Sequence, residues 1–248
     1  MALAHSPNIV LSDLKFYLDA SNPKSYPGTG TTFFDLSANN NDYTMLGTVP
    51  LASDGNVKYF DFSGNNNADA TPRSYNAPLG FTRGGGMSGM GLDRDGSFTI
   101  SYWFRHNGAG GQISLIANAG SADGFRFGPS SNGYYWLMGL NYREGVFGTN
   151  TSSGDGNWHY VNGVFDRGNE YNRSGGASVH FYEDGVYKGD VGNFGAQVTM
   201  QNTTPTIGRN PCCLRFAGDM SMITWHNKAL TSDEVKQNFY SHRERFGV

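Results

Sequence analysis

Short runs in which apolar and polar residues alternate, each broken by Gly, Asn, Asp or Pro, recur along this chain and constrain its fold more than any other feature. From Ser97 to Arg105, Phe98, Ile100, Tyr102 and Phe104 fall on one face and Thr99, Ser101 and Trp103 on the other, the period of a strand. Similar segments run Leu14 to Asp19, Val57 to Phe62, Gln112 to Asn118, Phe125 to Phe127, Tyr134 to Leu140, Trp158 to Asp166, Ser178 to Glu183, Val186 to Lys188 and Leu214 to Trp225. Asp184-Gly185 separates two of them, and such a pair tolerates the positive φ angles of a type I′ hairpin turn. Ten or so short strands without alternating helices predict an all-β antiparallel sandwich of two sheets. One short C-terminal helix is expected as well. Thr231 and Glu234 have the spacing of a capping box, Leu230 and Val235 that of a hydrophobic staple, and Val235, Phe239 and Phe246 recur near one helical face.

A chain of 248 residues can bury one large core without staples. It is expected to form a single domain over residues 9–248 behind an N-terminal arm of residues 1–8. Charged residues make up 16% and the net charge is −3, which argues against a basic surface for nucleic acid. No apolar stretch approaches 18 residues, so membrane insertion is not expected. The N-terminus lacks the basic start and apolar run of a secretory signal, and the product is expected to be made in a cytoplasm. The neighbours Cys212 and Cys213 are read as free thiols, because a bridge between them strains normal disulfide geometry. Residues 64–96, from Gly64-Asn-Asn-Asn67 to beyond Gly84-Gly-Gly86, read as a long surface excursion with no helix in it.

Three stretches carry a resemblance. They are Ser97-Phe-Thr-Ile-Ser-Tyr-Trp-Phe104, then Asp155-Gly-Asn-Trp-His-Tyr-Val-Asn-Gly-Val-Phe-Asp166 with Val179-His-Phe-Tyr-Glu-Asp-Gly185, and finally Ile207-Gly-Arg209, Phe216-Ala-Gly-Asp219 and Trp225-His-Asn-Lys-Ala-Leu-Thr-Ser-Asp-Glu-Val235. In order and spacing the chain resembles a laminin-G-like domain of the concanavalin A-like jelly-roll superfamily. Upstream, Leu14 to Tyr26 with Phe34 to Asp42 resembles the opening of laminin-G-like domains in tailed-phage structural proteins. The resemblance implies a jelly roll and a non-enzymatic virion-surface protein. Such a protein would be a capsid decoration or cement protein, or a fibre component, contacting capsid or other virion proteins and sister copies. The alternative it implies is a carbohydrate-binding, lectin-like module for surface glycans.

Relatives with glucanase activity carry Glu-x-Asp-x-Glu on one strand. The five glutamates here, Glu144, Glu170, Glu183, Glu234 and Glu244, form no such pattern, and no enzymatic activity is expected. No cofactor is required by the pattern, although some laminin-G-like domains bind calcium through carboxylates and carbonyl oxygens. By position in the resembling segments, Asp19, Asp35 and Asp219 are the candidates for Ca2+. Aromatic faces beside Asn, Asp and Gly suit a glycan, and Tyr134, Trp136 and Tyr142 are the platform candidates. Tyr134, Trp136 and Met138 share one strand face and Tyr135 and Leu137 the other, so one set belongs to the core. His159 and His180 fall on strand segments that could meet, but two histidines fall short of a metal set.

Overall fold

The computed structural model describes residues 8–63, 79–106, 116–117, 125–130, 133–138, 143–147, 154–168, 177–194, 200–209 and 216–248. Two antiparallel sheets of eight strands face each other. One contains β1 (Leu14–Asp19), β4 (Leu51–Asp54), β5 (Val57–Asp61), β7 (Phe98–Arg105), β12 (Trp158–Asp166), β13 (Ala177–Glu183), β14 (Val186–Phe194) and β16 (Asp219–His226). Its order is β14-β13-β12-β7-β16-β5-β4, with β1 also on β16. The second contains β2 (Thr32–Phe33), β3 (Tyr43–Leu46), β6 (Gly80–Thr82), β8 (Ile116–Ala117), β9 (Phe125–Ser130), β10 (Gly133–Met138), β11 (Arg143–Phe147) and β15 (Thr206–Ile207). This is the expected all-β jelly-roll sandwich.

Alternation along β7 explains the core. Phe98, Ile100, Tyr102 and Phe104 point between the sheets, into a cluster with Phe16, Phe60, Phe81, Phe127, Ile223 and Trp225. Trp103 points the other way, yet is fully buried, because the C-terminal segment covers that outer face with Phe239 and Phe246. Phe246 lies flat on Trp103, centroids 3.9 Å apart and planes 2° apart. A sheet buried on both faces accounts for a β12 without a single exposed residue.

The C-terminal cap forms as its residues require. The Thr231 hydroxyl accepts from the Glu234 amide and the Glu234 carboxylate accepts from the Thr231 amide. The single expected helix is corrected, however. It is two, α2 (Ser232–Tyr240) and α3 (Arg243–Phe246), broken at Ser241 and His242. A continuous helix would set Phe239 and Phe246 about 10 Å apart along its axis, whereas here both rings stack on Trp103. Folding the chain back at the break is what brings them there. A second correction concerns the excursion. Residues 64–78 lie outside the described residues, but Gly80–Thr82 is a strand and Gly86–Gly89 a short helical turn, α1. At the β13–β14 turn, Asp184 (φ 52°) and Gly185 (φ 76°) are both left-handed, as a type I′ turn demands. Among the described residues no helix is long and apolar enough to cross a membrane.

Candidate functional site

An open cleft of about 1000 Å³ lies between residues 8–17, the 36–39 loop and the break after α2. Each wall is held by polar side chains that hydrogen-bond to its backbone. On the N-terminal side, the Val10 amide donates to Asn238 Oδ1 (2.7 Å), and the Val10 carbonyl accepts from His226 Nε2 (2.9 Å). The asparagine run anchors the loop. Asn39 Nδ2 donates to the Leu14 carbonyl (2.9 Å) and Asn41 Nδ2 to the Lys15 carbonyl (2.7 Å).

The floor is a chain of hydrogen bonds. His242 Nε2 lies 3.0 Å from the Tyr17 hydroxyl, which donates to Asp19 Oδ2 (3.2 Å), and Arg245 Nη1 donates to the same oxygen at 2.8 Å. Burial, then the Arg245 charge, lowers the His242 pKa below its ordinary value. The His242 ring meets Tyr17 through Nε2, and its Nδ1 lies 2.6 Å from the Ser241 hydroxyl, which donates to the Asn238 carbonyl at 2.7 Å. Burial, then the Asp19 charge, raises the Tyr17 pKa and keeps the phenol protonated. Above this floor stand Asp13, Lys15 and Asn22 beside the apolar Ile9, Leu11 and Leu36. Among the described residues neither the Asp13 carboxylate nor the Lys15 ammonium enters an ion pair or hydrogen bond, so both are available to a ligand.

The three acids proposed for calcium stand in separate networks. Asp19 holds Arg245 and the Ser21 amide. Asp35 accepts from the Tyr17, Ser37 and Asn41 amides and the Ser37 hydroxyl, at 2.6–2.9 Å. Asp219 holds Arg105 Nε and Nη2 at 2.9 and 2.8 Å. Their oxygens do not converge within 4.8 Å and are engaged by N–H and O–H donors. As placed, they do not fit the six-to-eight-oxygen shell of calcium.

Of the aromatic platform, Tyr134 and Trp136 lie on β10, at the positions paired with Pro129 and Phe127 of β9. The Phe127 ring is in the intersheet core. The side chains of Tyr134 and Trp136, all of Tyr142, and Cys212 and Cys213 lie outside the described residues. His159 and His180 do not meet. His180 sits opposite Val164, while His159 Nδ1 reaches Asp184 (2.8 Å) and Nε2 reaches Asp155 (3.1 Å). Tyr17, Lys15 and His242 line the cleft but do not stand out in the sequence as candidates. The one signal available was the asparagine run at 39–41, which marks a loop tied to the start of β1.

Residues 87–236 match the family model described as the concanavalin A-like lectin/glucanases superfamily, of the laminin G type. Among solved structures, the chain is similar to domain 4 of a GH43 extracellular arabinanase from Geobacillus stearothermophilus, solved with arabinotriose. The TM-score is 0.65 at 16% identity, over 92% of this chain and 99% of that one. It is also similar to the binding domains of Paraclostridial Mosquitocidal Protein 1 (TM-score 0.63, 13% identity) and of botulinum neurotoxin serotype D/C (0.62, 15% identity). Each of these covers 92% of this chain, which spans about half of theirs, 52% in both cases. At these identities the likeness is one of fold. No curated protein sequence matches the chain.

Proposed function

The chain belongs to the concanavalin A-like lectin/glucanases superfamily, and on that footing we propose that it is a carbohydrate-binding domain without catalytic activity, whose ligand lies in the cleft over Tyr17 and His242. The observation that carries this reading is the cleft itself. Its volume of about 1000 Å³ is at the large end of small-ligand sites and suits a short oligosaccharide better than a monosaccharide. Sugars present hydroxyls that donate and accept, together with apolar C–H faces. Asp13, Lys15 and Asn22 supply acceptor and donor groups, and Ile9, Leu11 and Leu36 supply apolar surface. The fold neighbour solved with arabinotriose supports an oligosaccharide as the class of ligand.

Glycoside hydrolysis uses two carboxyl groups roughly 5 to 9.5 Å apart. Asp13 is the one carboxylate among the described residues lining the cleft, which supports binding without turnover. A glycan microarray spanning plant, bacterial and animal oligosaccharides, with and without calcium, tests the reading. Saturable binding to at least one structural class is expected, weakened at least tenfold in K15A and Y17A. An array silent at high protein concentration would remove the lectin reading.

The virion-surface role is a second reading. Its support is the likeness of residues 14–42 to phage laminin-G-like openings, together with Leu11 and Val186, 70% and 59% exposed, as apolar contacts for a partner. The two readings are compatible, since an exposed virion protein can also bind glycans. Copy-number mass spectrometry on purified particles decides it: hundreds of copies indicate a capsid decoration protein, a few dozen a fibre or tail component, and absence rejects the role.

A further inference from the structure

Away from the cleft, where β12 begins and the β13–β14 hairpin turns, three acids gather around one imidazole. His159 lies near the start of β12, Glu183 ends β13, and Asp184 opens the turn. The ligand-bearing atoms of these three residues lie within 4.8 Å of one another, which no other group of three or more His, Cys, Asp or Glu achieves among the described residues. Asp155 completes the cluster from the other side of the ring, its carboxylate 3.1 Å from His159 Nε2. We propose that this cluster is a site for a first-row divalent cation such as Zn2+, bound by His159 Nδ1 and the carboxylates of Asp184 and Glu183, with Asp155 orienting the ring through Nε2–H.

Four features support the assignment. The first is donor chemistry. One imidazole nitrogen and two carboxylates form a mixed N,O set that zinc accepts in three-ligand sites with an open fourth position. Calcium, which takes oxygen ligands, does not favour such a set. The second is orientation. A metal-bound histidine nearly always donates its remaining N–H to a carboxylate, carbonyl or water, and Asp155 occupies that place. Its own position is fixed by Asn157, whose amide and side chain both donate to it, at 2.8 and 3.0 Å.

The third feature is preorganisation. Asp184 is held left-handed by the turn (φ 52°), and its Oδ1 is tied to the Tyr160 amide at 2.8 Å. Its Oδ2 is thereby aimed at His159 Nδ1. The fourth is charge: the carboxylates of Asp155 and Asp184 lie on either side of the His159 ring and the buried Glu183 joins them within 4.8 Å of its ligand atoms, an acidic surround that favours a cation. Glu183 is buried, its side chain 2% exposed, while Asp184 and Asp155 are 30% and 39% exposed. The site thus has a dry inner ligand and an open side through which an ion enters.

A bound ion would tie the start of β12 to the hairpin that carries Val186 and Tyr187, both exposed. It would set the rigidity of that edge of the sandwich independently of the cleft. The test is calorimetric titration of untagged, chelator-stripped C212S/C213S protein with Zn2+, the two thiols being removed so that they cannot bind it. One site per chain is expected, with Ca2+ giving none. Affinity should fall at least 100-fold in E183Q and H159Q, and 10- to 100-fold in D155N. D155N alters no direct ligand, so it keeps the test open should H159Q fail to fold. Co2+ should give the absorption bands of a low-coordinate N,O site, lost in E183Q. Zn2+ binding that is absent, or unchanged in E183Q and D155N, would show the cluster to be an ion-pair network only. Neither result bears on glycan binding.

Discussion

Arg245→Ala should be among the most damaging substitutions of a partly exposed side chain in this protein. Arg245 Nη1 lies 2.8 Å from Asp19 Oδ2, and the Asp19 side chain is 3% exposed. Removing one member of a buried ion pair costs about 3–5 kcal/mol, because the other charge stays behind in a poor solvent. Two features of this pair reduce that figure. Asp19 keeps the Ser21 amide and the Tyr17 hydroxyl as donors, and Arg245 is 23% exposed, so water can take its place. The guanidinium also covers the Phe246 ring, 5.0 Å from its centroid, and that packing is lost with it. The net expectation is about 2–3 kcal/mol, at or just below the bottom of that range. For a chain of this size that corresponds to a fall in Tm of about 5–10 °C. Urea unfolding of wild type, R245A, D19N and the double variant measures the coupling directly. The pair should couple by more than about 1 kcal/mol, with R245A much less harmful in the D19N background. A loss below about 1 kcal/mol, or strict additivity, would refute the claim that Asp19 is anchored by Arg245. It would also reopen Asp19 as a carboxylate free for a metal.

Three further outcomes follow from the geometry. Burial lowers the pKa of His106 and His226, and of His242 with help from Arg245, so the fold disfavours the charged form of all three. The unfolded chain takes up protons near pH 6.5, so this stability is fully present above that pH. It is lost as pH falls, by up to about 1.4 kcal/mol per pH unit for each histidine. Unfolding midpoints between pH 8 and 5 should therefore decline below 6.5, and a flat profile would contradict the assignment. Thr231→Ala should cost about 1 kcal/mol through the lost cap, read as a shifted urea midpoint with unchanged slope. Gly185→Ala forces a left-handed alanine at φ 76° whose Cβ meets Phe239 Cδ1 at 3.3 Å. A loss of about 1–2 kcal/mol is expected, and thermal unfolding indistinguishable from wild type would count against the turn geometry.

Much of the sandwich is legible in the sequence because it rests on local patterns. β12 runs from Trp158 to Asp166, as its alternation indicates, and Asp184-Gly185 turns where that pair should. Two short strands of the second sheet leave no such trace. β2 and β15 are two residues long, too short for any period, and are defined only by what they pair with. The broken C-terminal helix was hidden for a related reason. A helical repeat shows that Phe239 and Phe246 are apolar, but not that a single tryptophan in β7 draws both rings to itself. The cleft is the least legible feature. Tyr17 and His242 are 225 residues apart, and each looks unremarkable within its own segment. The aromatic run at 134–136 looks more like a platform in sequence, and its side chains lie outside the described residues.

A glycan in the cleft over Tyr17 and His242 would contact residues from three separate segments of the chain. The most direct measurement is an amide chemical-shift map of 15N-labelled protein titrated with the strongest array ligand. Saturable shifts concentrated at residues 11–17, 36–39 and 241–242, abolished in Y17A, with the β13–β14 hairpin unmoved, are expected. Saturable shifts centred elsewhere, with those three segments silent, would contradict it.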